Sequence, residues 1–397
     1  MIVGSGTAAQ TSVLRLHVGL SLLTLFPGRV GGSETNVRGL LERYSAEDGP
    51  DRVTVLANRH VMAHYGRFAR GPVRLHHVRS YRPGDGNATR FAAMQFGRLA
   101  PRLVARDVPS DFDVVHFPVT VPIPRVSAPS VVTLFDVQHH DMPQLFGRTE
   151  KRLRGWAYDD AARGARLVVT SSAFSARSIA RHVGVREERI EVIPLGIDHA
   201  RFGPAEDDDE RVLAPLGLPP AYVVYPANLW PHKNHERLLE AFARADVDGV
   251  SLVLTGSVYA GLPSLESAAQ KVGLGDRVMH LGYVEPEQMP ALYRQASGMV
   301  FPSLFEGFGS PPLEAMACGC PVASSGAASL AELCAEAALI FDPADTAEIS
   351  RAIERIVSDE QLRVRLREAG LARAATYTWS AAAEAHVRVY ERAAGGK

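Results

Sequence analysis

Residues 301 to 322 read FPSLFEGFGSPPLEAMACGCPV and predict a strand, a tight glycine turn and a helix in succession. Ser310 is the predicted N-cap of the helix, and Pro311 and Pro312 fit its first turn, where a missing N–H group costs no hydrogen bond. Gly319 fits the helix end. The segment therefore predicts a strand-to-helix turn of an α/β protein, at the sheet edge where such folds bind ligands.

Two acids lie on either side of this turn, Glu306 before the glycines and Glu314 in the first turn of the helix. We expect both carboxylates to face one crevice. Gly307 and Gly309 allow backbone amides to approach a ligand closely, and a helix N-terminus attracts anions. The segment therefore predicts a site for a phosphorylated ligand that carries hydroxyl groups.

The string from Glu306 to Glu314, EGFGSPPLE, resembles the donor-sugar signature of retaining glycosyltransferases of family 4. That resemblance implies the α/β fold called GT-B, in which two Rossmann-like, doubly wound parallel-sheet domains face a central cleft. The alternative is an ordinary strand-turn-helix in which Glu314 only favours the helix dipole. We disfavour it because it leaves Glu306 and the paired glycines without a purpose.

At 397 residues the chain exceeds the size of one hydrophobic core, so two domains are expected. The resemblance implies an acceptor-binding Rossmann-like domain at 1–198, a nucleotide-sugar-binding domain at 199–378, and a C-terminal helix at 379–397 that returns to the first domain. The second half alternates strands with helical patterns, which is typical of a parallel sheet. Its predicted strands are Tyr222–Pro226, Ser251–Thr255, Val278–Leu281, Gly298–Pro302 and Pro321–Ser324.

Composition excludes several classes of protein. A hydrophobic content of 46% is typical of a globular protein, and a formal net charge of -1 argues against a nucleic-acid partner. The apolar run Val13–Phe26 is interrupted by Arg15 and His17, is too short to span a bilayer, and has no basic region before it. The three cysteines form no disulfide or metal pattern. We therefore expect a cytoplasmic protein, at most at the inner face of the membrane.

The stretch 59–106 contains ten arginines and one acid, Asp85. A predicted helix, Phe91–Val108, begins within it. Contact with a membrane surface or a phosphate-bearing acceptor would explain the pattern. An arginine-rich outer face of an α/β domain would explain it equally, and we favour this second interpretation because the apolar positions of the helix are needed for packing.

Gly31 and Gly32 precede a predicted helix, Ser33–Tyr44, with Ser33 as N-cap. The resemblance places both glycines where the first turn of the N-terminal domain faces the donor diphosphate and the acceptor. A helix entry that merely needs a tight turn is the alternative.

After the predicted strand Ser130–Phe135 the chain reads DVQHHDMP from Asp136. In many family members a His-Asp pair follows this strand, and its histidine touches the donor sugar at the reacting centre. Here Phe135 occupies the histidine position, so His139 or His140 would supply the imidazole, with Asp136 and His140 as our first choice. The alternative is that one histidine is structural and the other exposed.

A second family loop follows the strand at Tyr222. The family carries an arginine and, five residues later, a lysine that bind the diphosphate. Here Lys233 matches the lysine but Asn228 replaces the arginine, so neutralisation of the diphosphate depends on Lys233. The alternative is a surface lysine at a helix start, where an unanswered positive charge is unfavourable.

By the same resemblance, backbone groups of a later loop hold the nucleobase, Glu314 holds the ribose and Glu306 holds sugar hydroxyls. The predicted catalytic residues are Asp136, His139, His140, Lys233 and Glu306. The predicted donor-binding residues are Gly31, Gly32, Asn228, Lys233, Gly256, Tyr283, Val284, Glu306, Gly307, Phe308, Gly309, Ser310, Leu313 and Glu314.

The predicted reaction is retaining transfer of a hexosyl residue from a nucleotide diphosphate sugar to a hydroxyl of a glycan, a lipid-linked or a natural-product acceptor. The string PHKNH from Pro231 resembles mannosyltransferases and favours a GDP-sugar such as GDP-mannose slightly over a UDP-sugar. No cofactor and no metal are expected, and we interpret the acidic run Asp207–Asp209 as a solvated linker. Two alternatives remain open: an inactive partner subunit of this fold and a sugar-nucleotide epimerase.

Overall fold

The computed structural model describes residues 16–28, 31–46, 48–204, 208–258 and 265–395. They form two domains, each built around one parallel β-sheet. The first sheet contains β1 (His17–Ser21), β2 (Arg52–Ala57), β3 (Val73–His77), β4 (Val114–Phe117), β5 (Ser130–Thr133), β6 (Leu167–Thr170) and β7 (Ile190–Val192). The second contains β8 (Tyr222–Pro226), β9 (Ser251–Thr255), β10 (Val278–His280), β11 (Gly298–Phe301), β12 (Val322–Ser325) and β13 (Leu339–Phe341).

Helices connect the strands and cover both sheets. Those that begin in the first domain are α1 (Gly32–Ser45), α2 (Arg59–Tyr65), α3 (Asn87–Leu99), α4 (Pro101–Ala105), α5 (Gln138–Asp141), α6 (Arg148–Arg154), α7 (Asp160–Gly164) and α8 (Ala173–Val183). The others are α9 (Asp209–Leu213), α10 (His235–Arg244), α11 (Leu265–Lys271), α12 (Met289–Gln295), α13 (Ser310–Ala317), α14 (Leu330–Cys334), α15 (Thr346–Ser358), α16 (Glu360–Ala375) and α17 (Trp379–Ala394). A π-helical turn, Gly155–Asp159, joins α6 to α7.

The strand order is β3-β2-β1-β4-β5-β6-β7 in the first sheet and β10-β9-β8-β11-β12-β13 in the second. Every pairing within the two sheets is parallel. In each sheet the order reverses beside the first strand, which is the doubly wound arrangement that places ligands at the carboxyl ends of the strands. The predicted fold is confirmed. The five predicted strands of the second half are present, and β13 was missed.

The last helix returns to the first domain, as predicted. The Tyr390 hydroxyl of α17 is 3.2 Å from that of Tyr44 in α1 and 2.8 Å from Nδ1 of His116 in β4. At the start of α17, Trp379 packs so closely on Gly39 that a side chain on that glycine would overlap the indole ring. The helix therefore ties the chain end to the core of the first domain. The exact boundary between the domains stays a prediction.

Two predicted N-caps were wrong, that of α13 by one residue and that of α1 by two. Gly309 is the N-cap of α13 and Ser310 its first residue, and Gly31 is the N-cap of α1, so Ser33 lies inside the first turn. The predicted end of α13 is correct. The N–H of Gly319 bonds the Met316 carbonyl and that of Cys320 bonds the Ala315 carbonyl, which is the Schellman pattern.

The arginine-rich segment differs from the prediction. The single helix predicted there is two helices, because the chain leaves the helical conformation at Ala100 before Pro101. Its apolar residues were expected to pack inside, but Phe91 is 45%, Phe96 44% and Leu99 81% exposed. The packing argument therefore holds for Val104, which is buried, and fails for most of α3.

The acidic linker also differs from its interpretation as a solvated run. Asp207 lies outside the described residues, and Asp208 pairs with Arg211 at the surface. Asp209 is buried, and its carboxylate lies 2.5 and 2.7 Å from the Arg294 guanidinium of α12. The last residue of this run, Asp209, thus belongs to a buried ion pair.

None of the described helices has the length and apolar character needed to cross a membrane.

Candidate active site

Lys233 and Glu306 form an ion pair, with Nζ 2.5 Å from Oε1. Lys233 ends a short 3-10 turn between β8 and α10, and Glu306 follows β11. The Tyr225 hydroxyl donates a 2.7 Å hydrogen bond to the Lys233 carbonyl and holds the turn in place. The Lys233 and Glu306 side chains are only 17% and 13% exposed. Lys233 is therefore not a surface lysine at a helix start, which was the alternative interpretation.

Glu314 has a different set of neighbours. The Tyr293 hydroxyl donates to its Oε2 at 3.3 Å. Burial raises the pKa of Glu314 above its ordinary value, although Arg201, Tyr293 and Arg38 act in the opposite direction. The carboxyl lines a cavity of about 110 Å³ together with Ser310, α1 and the linker between the domains. Glu314 therefore lies where both domains contribute to one enclosed space.

Gly307 lies at the contact between the domains. Its carbonyl accepts hydrogen bonds from the hydroxyls of Ser171, Ser172 and Ser175, at 3.2, 2.8 and 3.2 Å. A Cβ atom on Gly307 would lie 3.0 Å from Oδ2 of Asp136, in the first domain. A side chain at position 307 would therefore crowd Asp136 across the cleft, a constraint that sequence analysis did not reveal.

Gly309 has a separate requirement. Its φ of 101° is in the region that favours glycine, and a Cβ atom there would lie 2.6 Å from Leu330. Two predicted donor-binding residues beside it, Phe308 and Leu313, are buried in the core of the second domain. Leu313 is fully buried, and its part in donor binding stays a prediction.

Glu332 makes a second contact between the domains and was missed by the sequence analysis. Its carboxylate, in α14, accepts the backbone N–H groups of Ala173 and Phe174 at 2.7 and 3.2 Å. These are free donors at the start of α8, where a negative charge is also favoured by the helix dipole. We call the hydrogen bonds of Gly307 and Glu332 with residues 171–175 the domain contact. No local pattern marks Glu332, because its partners lie more than 150 residues away.

Asp136 follows β5 and faces this contact. Its Oδ1 accepts the N–H of Gln138 at 3.0 Å. Burial raises the pKa of Asp136 above its ordinary value, and the nearby Glu306 acts in the same direction. The Gln138 N–H and Arg154 act in the opposite direction. Asp136 of the first domain therefore lies near Glu306 of the second, and the catalytic roles of both residues stay predictions.

The two predicted histidines both face Asp159, which sequence analysis missed. Nε2 of His140 is 2.9 Å from Oδ2 of Asp159, and Nε2 of His139 is 3.3 Å from Oδ1. His139 is buried, whereas the His140 side chain is 31% exposed and stacks on His182. Burial raises the pKa of Asp159, and the two histidines more than offset this, so it lies below its ordinary value.

The loops predicted to hold the nucleobase and diphosphate lie side by side. Oδ1 of Asn228 accepts the N–H of Ser257 at 2.8 Å, and the N–H of Gly256 donates to the Gly282 carbonyl at 2.6 Å. Tyr283 is 68% exposed, and Val284 is buried. Asn228 thus joins two loops at the carboxyl edge of the second sheet. Gly31 and Gly32 lie at the start of α1, on the first domain.

The candidate site combines buried charged side chains with helix N-termini, at the carboxyl edges of two facing parallel sheets. Two family models match this chain, "Glycosyltransferase Family 4" over residues 30–201 and "Glycosyl transferases group 1" over residues 208–373. The chain belongs to this family of GT-B glycosyltransferases.

Individual relatives agree with that class. The chain is 30% identical over 302 residues to the O-antigen chain mannosyltransferase B of Escherichia coli, covering 74% of this chain and 78% of the relative. It is 32% identical over 232 residues to an MMP alpha-(1->4)-mannosyltransferase of Mycolicibacterium hassiacum, covering 57% and 54%. The crystal structure of Anabaena HepE in complex with UDP and glucose superposes with a TM-score of 0.72 at 21% identity, covering 95% and 100%, and supports the fold.

Proposed function

We propose that the protein transfers a hexosyl residue from a nucleotide diphosphate sugar to an acceptor hydroxyl, with retention of the anomeric configuration. The observation that carries the proposal is the Lys233–Glu306 pair beside Asp136, at the carboxyl edge of the second sheet where the two domains meet.

The pair explains how the donor is held. Sugar hydroxyls donate to the Glu306 carboxylate, and the Lys233 ammonium then neutralises the diphosphate together with the amides at the start of α13. Negative charge develops on the leaving diphosphate, and preorganised groups in a buried site stabilise it most effectively. This neutralisation needs no metal ion at the donor, so transfer is metal-independent.

Attack on the same face as the leaving group accounts for retention. The leaving phosphate oxygen accepts the proton of the acceptor hydroxyl, and no protein nucleophile is needed. Asp136 lies close enough to the pair to orient the sugar. A direct role of His139 or His140 at the reacting carbon stays a prediction, since Asp159 faces both imidazoles.

Two lines of support favour a GDP-sugar, with GDP-mannose first. One is the PHKNH string, and the other is that both curated relatives described above are named mannosyltransferases. The glycan named for the Escherichia coli relative, an O-antigen chain, supports a glycan or lipid-linked acceptor over a small natural product.

The exposed side chains of α3 and α4 support an acceptor at a membrane. Phe91, Phe96, Leu99 and Leu103 are between 41% and 81% exposed, and the segment carries arginines and no acid. An amphipathic, basic surface of this kind binds anionic lipid bilayers. Vesicle flotation tests it: wild type and the control Val364→Asp should float with anionic vesicles, and Leu99→Asp should not. Equal flotation of all three proteins would exclude this surface.

A donor screen tests the transfer itself. Purified protein is incubated with GDP-, UDP-, ADP- and dTDP-sugars, and nucleotide release is followed with and without glycan acceptors. We expect release from a GDP-sugar, and NMR of the product should show the donor's anomeric configuration. Epimerised donor would instead identify an epimerase, and binding without turnover would identify an inactive partner subunit.

A further inference from the structure

Three side chains from two segments of the first domain converge beside the cleft. His139 and His140 lie in α5, and Asp159 is the last residue of the π-helical turn that joins α6 to α7. One ligand atom from each residue lies within 4.8 Å of the others. π-helical turns widen a helix and are frequent at functional sites.

Two of these atoms are buried without a hydrogen bond. Nε2 of His139 and Oδ1 of Asp159 are in ion-pair contact at 3.3 Å but are not in hydrogen-bond geometry, and neither has a hydrogen-bond partner among the described residues. The two side chains are only 2% and 6% exposed. Buried polar atoms are nearly always paired, so two such atoms facing each other indicate a missing partner.

A cation bound between Nε2 of His139 and Oδ1 of Asp159 would be the missing partner of both atoms. Ligand atoms about 2.0–2.2 Å from a tetrahedral zinc ion lie about 3.3–3.6 Å apart. Nε2 of His139 is already 3.3 Å from Oδ1 of Asp159, and the 2.9 Å from Nε2 of His140 to Oδ2 of the same carboxylate needs only a small increase. Two imidazoles and one carboxylate are a donor set that zinc prefers.

We propose that His139, His140 and Asp159 bind a divalent transition-metal ion, zinc by the chemistry of the donors. The partly exposed side of His140 leaves the fourth coordination position to a water molecule. The ion links α5, which begins two residues after Asp136, to the π-helical turn between α6 and α7. Its role is to position the segment that carries Asp136, and the proposal does not rest on the transfer reaction.

Metal binding by untagged, full-length protein tests the proposal. The protein is stripped with a chelator, and zinc is then titrated against a chromophoric competitor, with the bound metal counted by elemental analysis. We expect one zinc ion per chain, and a tetrahedral visible spectrum when cobalt replaces zinc. His140→Ala and Asp159→Asn should weaken zinc binding by about a hundredfold.

The matched control is His64→Ala, which removes an exposed histidine on α2 and should leave zinc binding unchanged. Because His139→Ala removes a buried side chain and can fail to fold, the two variants at His140 and Asp159 decide the result. Zinc bound below one ion per chain, or bound equally by all variants, overturns the proposal. Donor turnover is measured separately, so a failed transfer assay leaves the metal result interpretable.

Discussion

Two neighbouring residues, Glu306 and Gly307, connect to different parts of the molecule. The Glu306 side chain pairs with Lys233 inside the second domain, whereas the Gly307 carbonyl receives three serine hydroxyls from the first domain. We call Lys233, Glu306 and Glu314 the donor face. The donor face is built from charged side chains, and the domain contact beside it depends largely on backbone groups.

This difference separates two kinds of variant. A change on the donor face removes a group proposed to hold the donor and should act mainly on turnover. A change at the domain contact disturbs packing between the domains and should act on stability and on turnover together. The following variants test that separation, in order of decreasing expected effect.

Lys233→Ala should lower kcat/KM for the preferred donor by about 10²–10³-fold, because it removes the positive charge proposed to stabilise the leaving diphosphate. Steady-state nucleotide release measures the effect. The control is Lys271→Ala, an exposed lysine at the end of α11, which should match wild type. Unchanged turnover in Lys233→Ala would remove the donor face from the mechanism.

Gly307→Ala should destabilise the protein by about 1–3 kcal/mol, because the added methyl group meets Asp136 and the Phe135 carbonyl at 3.0 Å. Turnover should fall with stability, which chemical denaturation and nucleotide release measure on the same sample. Gly164→Ala is the matched control, since a Cβ atom there meets no atom within 4 Å. Full stability of Gly307→Ala would show that the domains separate freely.

Glu332→Ala should cost about 1 kcal/mol of stability, because two N–H groups at the start of α8 lose their acceptor. Thermal unfolding measures the loss, and Glu336→Ala, at an exposed position, serves as control. If the two variants melt alike, the carboxylate contributes nothing to the domain contact.

The smallest effect concerns pH. The folded pKa of Glu314 is raised by burial, so folding favours the protonated acid: its contribution to stability is full below the unfolded pKa and is lost as pH rises through the folded pKa. Donor binding should have the opposite dependence, because the proposed hydrogen bonds from the ribose hydroxyls require the ionised carboxylate.

Affinity for the nucleotide should therefore fall as pH decreases through the raised pKa, by at most about tenfold per pH unit. Calorimetric titrations between about pH 7.5 and about pH 5 measure it. The Glu314→Gln variant should bind the nucleotide more weakly, and its affinity should lose the part of the pH dependence that comes from this carboxyl group. An unaltered slope in Glu314→Gln would assign the titration to another group.

Much of the fold was predictable because its signals are local. The apolar strands, the proline-started α13 and the Gly319 stop depend on residues close in sequence, and the start of α17 at residue 379 was predicted correctly. Strings of consecutive residues marked Lys233, Glu306 and Glu314 as candidates for the site, and their roles there stay predictions. Glu332 and Asp159 were missed because each acts on residues from another segment.

By itself the sequence determined the alternation of strands and helices, the two parallel sheets and the charged residues of the donor face. The signals for these features are periodicity, turn residues and the EGFGSPPLE string, and each of them involves residues close together in the sequence. Only the tertiary structure decided which side chains are exposed on α3, which acid caps α8 and which carboxylate faces the two histidines. Those outcomes depend on how segments far apart in sequence pack together, and packing leaves no local pattern.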